Sequence, residues 1–215
     1  MIYPGHIVVF DLESGGFFPR QHLLCQVGLI VLDPDLNEVE RYAAYIDPSY
    51  NPSLKITPDA QKVHGLTMDF LKQNGKDIRE VLDTFLAIGK KYKRSYYHPT
   101  LCGHNVGFDC YFLEAVLKDL GYEENKYTLQ SALYNNYLKV PLDTMELARR
   151  KWKNNEVADF KLGTLTQFIG IENAKAHDAM GDIEVTAELL RYFLGCMGGE
   201  GDFKQQQKSS FNFQF

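Results

Sequence analysis

Acidic residues and one histidine recur in three short segments of the sequence. One segment places His177 five residues ahead of Asp182, near the start of a run with helical periodicity. Upstream, Asp11 and Glu13 are separated by one residue, and a further carboxylate, Asp109, follows much later. Carboxylate oxygens bind hard divalent cations, and an imidazole can take up a proton near neutral pH. Together these groups predict a metal-dependent phosphodiester hydrolase.

Each of these groups has an ordinary structural explanation when it is taken alone. Asp11 and Glu13 could form the solvated end of a strand, and Asp109 could cap a helix. A helix dipole tolerates an acid such as Asp182 in its first turns, and His177 could lie in a surface loop. On an extended strand, however, two carboxylates at i and i+2 share one face and repel each other unless a cation compensates them. The joint occurrence of all five groups favours the metal site.

Short apolar runs predict the strands that must carry these residues. His6–Phe10 is typical of a central strand buried on both faces, and it leads directly into Asp11. Leu24–Leu32 and Glu40–Ile46 predict a hairpin across a turn at residues 33–37. Two further short strands are predicted at Thr100–Gly103 and Val140–Leu142.

Helical periodicity predicts the remaining regular elements. Helices are expected at Ile78–Tyr92, Met145–Trp152, Leu162–Ile169 and Asp178–Leu194. Another helix should follow Asp109 and end before Gly121. Residues 47–67, which contain three prolines, are predicted to be a loop. A hairpin followed by alternating strands and helices predicts an α/β domain with a mixed sheet.

Length and charge restrict the organisation and the partners. The 215 residues are enough for one sizeable core, so we expect one domain over residues 1–196 and a flexible Gly/Gln/Phe-rich tail over residues 197–215. The formal net charge of −5 excludes a broad basic field that would hold duplex DNA nonspecifically. A site that grips one strand end through metal ions needs only local positive charge.

The cysteines and the hydropathy pattern predict the compartment. Cys25, Cys102, Cys110 and Cys196 show no zinc-ligand spacing and are expected to be reduced, small buried side chains. No charged leader with an apolar segment and no apolar run of about 18 residues or more is present. The sequence therefore predicts a soluble, cytoplasmic protein without a membrane partner.

Three segments resemble the motifs of the DEDDh 3′→5′ exonucleases, the family that includes the proofreading epsilon subunit of bacterial replicative polymerases and ribonuclease T. They are VFDLESGG at 9–16, HNVGFD at 104–109 and HDAMGD at 177–182, and VHGL at 63–66 is similar to a segment of the epsilon-like branch. The resemblance spans about residues 6 to 195. The sequence has Ser14 where threonine is frequent and Gly16-Phe17 where other residues vary, and neither difference removes a metal ligand.

This resemblance implies a ribonuclease H-like, mixed five-stranded sheet flanked by helices, with two Mg²⁺ or Mn²⁺ ions at the strand ends. Asp11 would bridge the two ions, and Glu13 and Asp182 would complete one coordination shell. Asp109 would support the other ion through water. The resemblance also makes His177 the general base that takes a proton from the attacking water.

The resemblance extends to substrate contacts. Phe17, Val63 and His64 would flank and wedge the terminal bases, since every base can stack on an apolar face. Ser14 and Gly15 would let the backbone approach the 3′ end, and Asn105 and Phe108 would shape the second-motif turn. The last candidates, Phe108 and the basic cluster at residues 149–153, have alternatives. Phe108 could equally pack in the core, and for the cluster a solvated helix face is favoured over a track for phosphates.

The sequence therefore predicts an exonuclease that releases nucleoside monophosphates from the 3′ end of DNA, favoured as single-stranded, in proofreading or repair. An RNA-trimming 3′→5′ exoribonuclease of the same fold is the alternative, because both reactions occur at the phosphate. A nonenzymatic nucleic-acid or polymerase-binding module is a third interpretation. The tail, with Phe211, Phe213 and Phe215 at alternate positions, is either a disordered terminus or a motif that docks on a clamp, a polymerase or another replication protein.

Overall fold

A mixed five-stranded sheet forms the centre of the structure, as the sequence predicts. The structure is a computed structural model that describes residues 5–93, 99–122, 141–171 and 178–198, with side chains as far as residue 195. The strands are β1 (Ile7–Ser14), β2 (Leu24–Leu32), β3 (Glu38–Tyr45), β4 (Thr100–Gly103) and β5 (Leu142–Asp143). Their spatial order is β3-β2-β1-β4-β5. The β1–β2 and β2–β3 pairs are antiparallel, whereas β4 pairs in parallel with β1 and with β5.

Helices cover both faces of this sheet. Within the described residues the helices are α1 (Pro58–His64), α2 (Met68–Asn74), α3 (Ile78–Lys91), α4 (Val106–Asp119), α5 (Thr144–Lys151), α6 (Leu162–Ile169) and α7 (Ala179–Gly198). None of these described helices is both long enough and apolar enough to cross a membrane. The sheet and its helices confirm the predicted ribonuclease H-like α/β class.

Alternation along β1 divides the core into two layers. Val8, Phe10 and Leu12 face the layer that contains α3 and α4, and all three are buried. Ile7 and Val9 point the other way and pack with residues of α7. Because successive side chains of a strand point to opposite faces, Asp11 and Glu13 continue the row of Ile7 and Val9 and lie on the α7 side.

The prediction of a loop over residues 47–67 is wrong for its second half. Residues 58–64 form α1, with Pro58 at its start and the Thr57 hydroxyl accepting a hydrogen bond from the Ala60 N–H. Gly65 ends the helix in the left-handed conformation. No residue of α1 is buried, so the segment lacks the apolar periodicity from which a helix is usually predicted. The short helix α2 was not predicted either.

The other predicted elements are confirmed with shifted ends. β1 continues through the acidic pair to Ser14, and β3 begins at Glu38. The predicted strand at 140–142 is observed as Leu142–Asp143, and residue 140 lies outside the described residues. α7 extends to Gly198, past the predicted domain end at 196, whereas residues 199–215 are not described. Of the cysteines whose side chains are described, Cys25 and Cys102 are buried and Cys110 is half-buried, all as free thiols.

Candidate active site

Three carboxylates from two elements converge at the end of β1. Asp11 and Glu13 lie on one face of the strand, and Asp182 lies in the first turn of α7. Oxygen atoms of the three side chains lie within 4.8 Å of one another, and all three side chains are partly exposed. The structure therefore brings together three of the four predicted metal ligands in one group.

The electrostatics of this group are unfavourable in the absence of a cation. Loss of hydration, followed by repulsion from Asp182, raises the pKa of Asp11 to about 8. Loss of hydration and then the neighbouring Asp11 raise the pKa of Glu13 to about 9. Carboxyl groups held this close are stable only when some of them are protonated or when cations lie between them.

This donor set fits a divalent metal ion. The ligand atoms are carboxylate oxygens, which suit Mg²⁺ and Mn²⁺, and the side chains keep partial access to solvent for further water ligands. None of the described cysteines contributes a ligand atom to the group. Asp11, Glu13 and Asp182 would hold the ion, and the identity of the metal remains a prediction.

Asp109 lies beside the group and is fixed by a backbone contact. Its side chain is 4% exposed, and its Oδ1 accepts a hydrogen bond from the Leu12 N–H at 3.2 Å. The parallel pairing of β4 with β1 ends at Val9, so Asp109 replaces a missing strand partner for Leu12. Burial, followed by repulsion from Asp11, raises the pKa of Asp109. The helix-cap interpretation of Asp109 is wrong, because α4 begins earlier, after Asn105.

The second-motif turn is fixed from outside the motif. Asn105 adopts a left-handed conformation with φ of 59°, and its N–H donates to Asp143 Oδ1 at 2.9 Å. The same carboxylate oxygen caps α5 through the Met145 N–H. Asn105 thus takes part in the turn through its backbone, and Asp143 connects this turn to α5. Sequence reasoning missed Asp143, although an aspartate directly before a helical run is a recognised cap signal.

His104 ties the same motif to the segment before α6. Its Nε2 lies 2.9 Å from the Phe160 carbonyl, which can only accept, so this nitrogen carries a proton. The Nδ1 atom lies 2.9 Å from the Thr144 hydroxyl. Burial lowers the pKa of His104, which favours the neutral ring. The residue holds two segments together and does not reach the carboxylate group through any of these bonds.

An exposed aromatic surface begins at the end of the first motif. Phe17 is 76% exposed, and its ring contacts Phe108 edge-on at a centroid distance of 6.2 Å. Phe108 in turn packs against the buried ring of Phe112. Phe108 therefore has the core-packing role that the sequence left open, and it also supports a ring that faces solvent.

A backbone hydrogen bond connects the start of α1 to the first motif. The Thr57 N–H donates to the Gly15 carbonyl at 2.8 Å, and the Gly15 N–H donates to Leu23. A Cβ on Gly15 would lie 2.3 Å from the Lys55 carbonyl oxygen, so glycine permits this close approach. The backbone polar groups of Gly15 are thus used within the protein, and its contact with a substrate stays a prediction.

Val63 and His64 lie at the end of α1. Val63 is 53% exposed and available for contact. His64 is half-buried, its Nδ1 accepts from the Leu66 N–H, and burial lowers the pKa of the ring. Nearby, the Ser14 hydroxyl donates to the Gly16 carbonyl within the first motif.

Comparison with known proteins identifies the family. A family model described as Exonuclease matches residues 8–190. The chain belongs to this exonuclease family.

Curated relatives of this chain are DNA polymerase III proteins. It is 28% identical over 197 residues to a DNA polymerase III PolC-type protein of Clostridium perfringens, covering 91% of this chain and 12% of the relative. It is 26% identical over 204 residues to the DNA polymerase III subunit epsilon of Rickettsia typhi, covering 94% of this chain and 78% of the relative. The exonuclease thus spans about an eighth of the PolC-type protein and most of the epsilon subunit.

Solved structures share the fold of this exonuclease. E. coli Exonuclease I in complex with a dT13 oligonucleotide matches with a TM-score of 0.71 at 19% identity, over 87% of this chain and 40% of the other. A moderately thermophilic Exonuclease I from Methylocaldum szegediense matches with a TM-score of 0.69, also at 19% identity. At this identity the likeness shows the fold.

Two polar residues of the exonuclease that border the carboxylates escaped sequence reasoning. Gln26 on β2 is 4% exposed and donates to Asp178 Oδ1 at 3.1 Å. Asp178 precedes α7 and lies close enough to contribute to the raised pKa values of Asp11 and Glu13. A single amide in an apolar strand was the available signal for Gln26. His177, the predicted general base, lies outside the described residues.

Two side chains of the basic cluster at the end of α5 make contacts within the protein. Arg149 pairs with Glu146 and lies over the ring of Phe160. The Lys151 ammonium lies 5.5 Å from the centre of the Tyr192 ring. These contacts agree with the solvated helix face that the sequence analysis favoured.

Proposed function

We propose that the chain is a two-metal-ion 3′→5′ exonuclease that releases nucleoside monophosphates from the 3′ end of DNA, preferably single-stranded, in proofreading or repair. The observation that carries this proposal is the convergence of Asp11, Glu13 and Asp182 within 4.8 Å, with raised pKa values for Asp11 and Glu13. Membership of the exonuclease family supports the reaction. The similarity to DNA polymerase III proteins supports DNA as the substrate and a role in replication.

The chain's own residues take separate roles in this reaction. When bound, divalent cations supply an activated water and neutralise charge on the phosphate. Asp11, Glu13 and Asp182 would hold them, and Asp109 would support the site from its buried position beside Leu12. His177 would take the proton of the attacking water, because an imidazole with an ordinary pKa of about 6.5 is mostly unprotonated at neutral pH and can accept a proton.

Phe17 and Val63 would contact the terminal bases. Both side chains are more than half exposed. The hydrogen bond from Thr57 to Gly15 holds the start of α1 beside the first motif, and Phe17 follows that motif directly. Stacking on such side chains tolerates any base, which suits an enzyme that digests successive nucleotides. His64 would line the same side, and Ser14 the approach to the 3′ end.

The experiment that tests the proposal is a gel assay on end-labelled single-stranded DNA, duplex DNA and RNA, with Mg²⁺, Mn²⁺ or EDTA. We expect stepwise shortening from the 3′ end of single-stranded DNA with either metal and none in EDTA. Asp11→Ala and His177→Ala should abolish it while leaving the folded state intact. Glu188→Gln is the control, because this carboxylate is on α7 but is exposed and paired with Arg191.

The alternatives give different results in the same assay. Faster digestion of RNA than of DNA would show that RNA is the preferred substrate. Binding of oligonucleotides without any digestion, in wild type and variants alike, would indicate the nonenzymatic module. Full activity in both Asp11→Ala and His177→Ala would refute the assignment of the site.

We also propose a polymerase, a clamp or another replication protein as partner of the C-terminal tail. The support is the alternation of Phe211, Phe213 and Phe215 and the similarity of the chain to the epsilon subunit of DNA polymerase III. A pull-down with the full chain and with a chain ending at Gly201 tests it. Equal capture of a replication protein by both chains would refute the role of the tail.

A further inference from the structure

Gln26 is a buried polar side chain in a strand that is otherwise apolar. All nine residues of β2 are buried, and Gln26 is the only one with a polar side chain other than a thiol. In the pairing of β1 with β2 it stands directly opposite Glu13. Buried polar groups require hydrogen-bond partners, so the identity of these partners indicates what the side chain does.

Both ends of the Gln26 amide bind the N-terminus of α7. The Nε2 atom donates to Asp178 Oδ1 at 3.1 Å, and Oε1 accepts from the Ala179 N–H at 3.4 Å. The other oxygen of Asp178 accepts from the Gly181 N–H at 3.3 Å. The first N–H groups of a helix have no partner inside the helix, and here two of them are satisfied by Gln26 and Asp178.

This connection fixes α7 directly above the carboxylate group. Asp182 lies one turn after Asp178, and its carboxylate meets Asp11 and Glu13 within 4.8 Å. His177 immediately precedes Asp178 in the chain. The amide of Gln26 therefore holds the N-terminus of α7, which contributes Asp182 as one of the proposed metal ligands. In the sequence, this segment directly follows His177, the predicted base.

We propose that Gln26 is a positioning residue, whose hydrogen bonds to Asp178 and Ala179 set the place of the N-terminus of α7 and thereby of Asp182 relative to Asp11 and Glu13. This role rests on the proposed function for its effect on catalysis, although its effect on metal binding can be measured separately. Position 26 needs one donor and one acceptor, which a glutamine provides and an ionised glutamate does not.

Exchanging the amide and the carboxylate between positions 26 and 178 tests the proposal. Gln26→Glu removes the donor and places a carboxylate against Asp178, so the N-terminus of α7 should move away from the sheet. Adding Asp178→Asn restores a donor and an acceptor with their places exchanged. The four proteins of this double-mutant cycle separate the hydrogen bond from the effect of each single change. Gln73→Glu, the same substitution on the exposed surface of α2, is the matched control.

Three measurements on the full chain follow this cycle: Mn²⁺ affinity by calorimetry without nucleic acid, kcat and KM on a short single-stranded DNA, and the melting temperature in EDTA. We expect Gln26→Glu to lower Mn²⁺ affinity and kcat by about tenfold or more, with a smaller change in KM. The double variant should recover both to within about threefold of Asp178→Asn. Gln73→Glu should match wild type.

Different failures are distinguishable. Additive losses in the double variant, or wild-type Mn²⁺ affinity in both Gln26→Glu and Asp178→Ala, would overturn the positioning role even if the wild type digests DNA. Coupled Mn²⁺ affinities in a protein that releases no nucleotide would overturn the proposed function and leave the positioning role intact. If Gln26→Glu does not fold, Asp178→Ala removes the same bond from the half-exposed side, and unchanged Mn²⁺ affinity in that variant would refute the proposal.

Discussion

The Asp11 carboxylate opposes folding in the absence of metal, and we propose that it binds metal for the reaction. After the loss of hydration, repulsion from Asp11 is the main cause of the raised pKa values of both Glu13 and Asp109. An amide of the same shape would remove that repulsion and also remove a negatively charged ligand. Stability and activity should therefore respond to this substitution in opposite directions.

We expect Asp11→Asn to raise the melting temperature in EDTA by roughly 2–4 °C, the shift that corresponds to about 1 kcal/mol in a chain of this size. Mn²⁺-dependent release of nucleotides should be lost. Thermal denaturation followed by circular dichroism, together with the gel assay, measures both effects. Glu188→Gln should change neither, and a lower melting temperature of Asp11→Asn in EDTA would contradict the repulsion.

The raised pKa values of Asp11 and Glu13 also predict how pH affects stability. An acid with a higher pKa in the folded than in the unfolded state binds protons more tightly when folded. Its stabilising contribution is complete below the unfolded value of about 4 and is lost as pH rises through the folded value. For Asp11 and Glu13 the folded values are about 8 and about 9. In EDTA, these groups should therefore lower the free energy of unfolding progressively from about pH 5 to about pH 9.

Metal binding should reverse this trend, since the cation competes with protons for the same oxygens. The increase in melting temperature caused by saturating Mg²⁺ should grow from about pH 6 to about pH 8. Calorimetry should also detect proton release on binding, as a dependence of the measured heat on the buffer. An increment that is constant over this pH range would mean that the carboxylates are ionised without metal.

The distance between α7 and the sheet depends on Gly28. This residue pairs with Asp11 across β1 and β2. A Cβ at position 28 would lie 2.5 Å from Ile183 Cδ1 and 3.4 Å from the Ala179 Cβ, so a larger residue would displace the Ile183 side chain or the helix. Asp182 immediately precedes Ile183, and any displacement of the helix moves its carboxylate.

We expect Gly28→Ala to weaken Mn²⁺ binding and nucleotide release several-fold. Ile183→Val removes the atom that the new methyl group would meet, at a cost in stability of about 0.5–1.5 kcal/mol. The double variant Gly28→Ala with Ile183→Val should therefore bind Mn²⁺ more tightly than Gly28→Ala alone. Calorimetry measures this, and equal affinities of the single and the double variant would show that Ile183 yields without moving α7.

The elements that sequence predicted best are those with a local signal. β1 and β2 are apolar runs, and the i, i+2 spacing of Asp11 and Glu13 on an extended strand predicts their common face. α1 escaped prediction because its solvent-exposed faces carry no apolar stripe. The Gln26–Asp178 bond joins residues 152 positions apart, and no local pattern records such a contact. The site residues could thus be named from motifs, whereas the residues that hold them in place required the structure.

One strand, β1, connects helices on both faces of the sheet at the site. Leu12 binds Asp109 of α4, while Asp11 and Glu13 meet Asp182 of α7. α7 packs on β1 and β2 through residues such as Ile183, Ala187 and Leu190, which are almost fully buried. Among the residues whose side chains the structure describes, Phe193 is the last buried one in the sequence.

A chain that ends at Gly201 should therefore fold and digest short oligonucleotides as the full chain does. The truncation keeps all of α7, including every described core residue, and removes only the segment with the alternating phenylalanines. We expect a melting temperature within about 2 °C of the full chain, because surface and terminal changes alter stability by about 0.5 kcal/mol or less. kcat on a short single-stranded DNA should also be unchanged. Loss of activity on that substrate would show that residues 202–215 belong to the catalytic domain and would refute a separate role in docking.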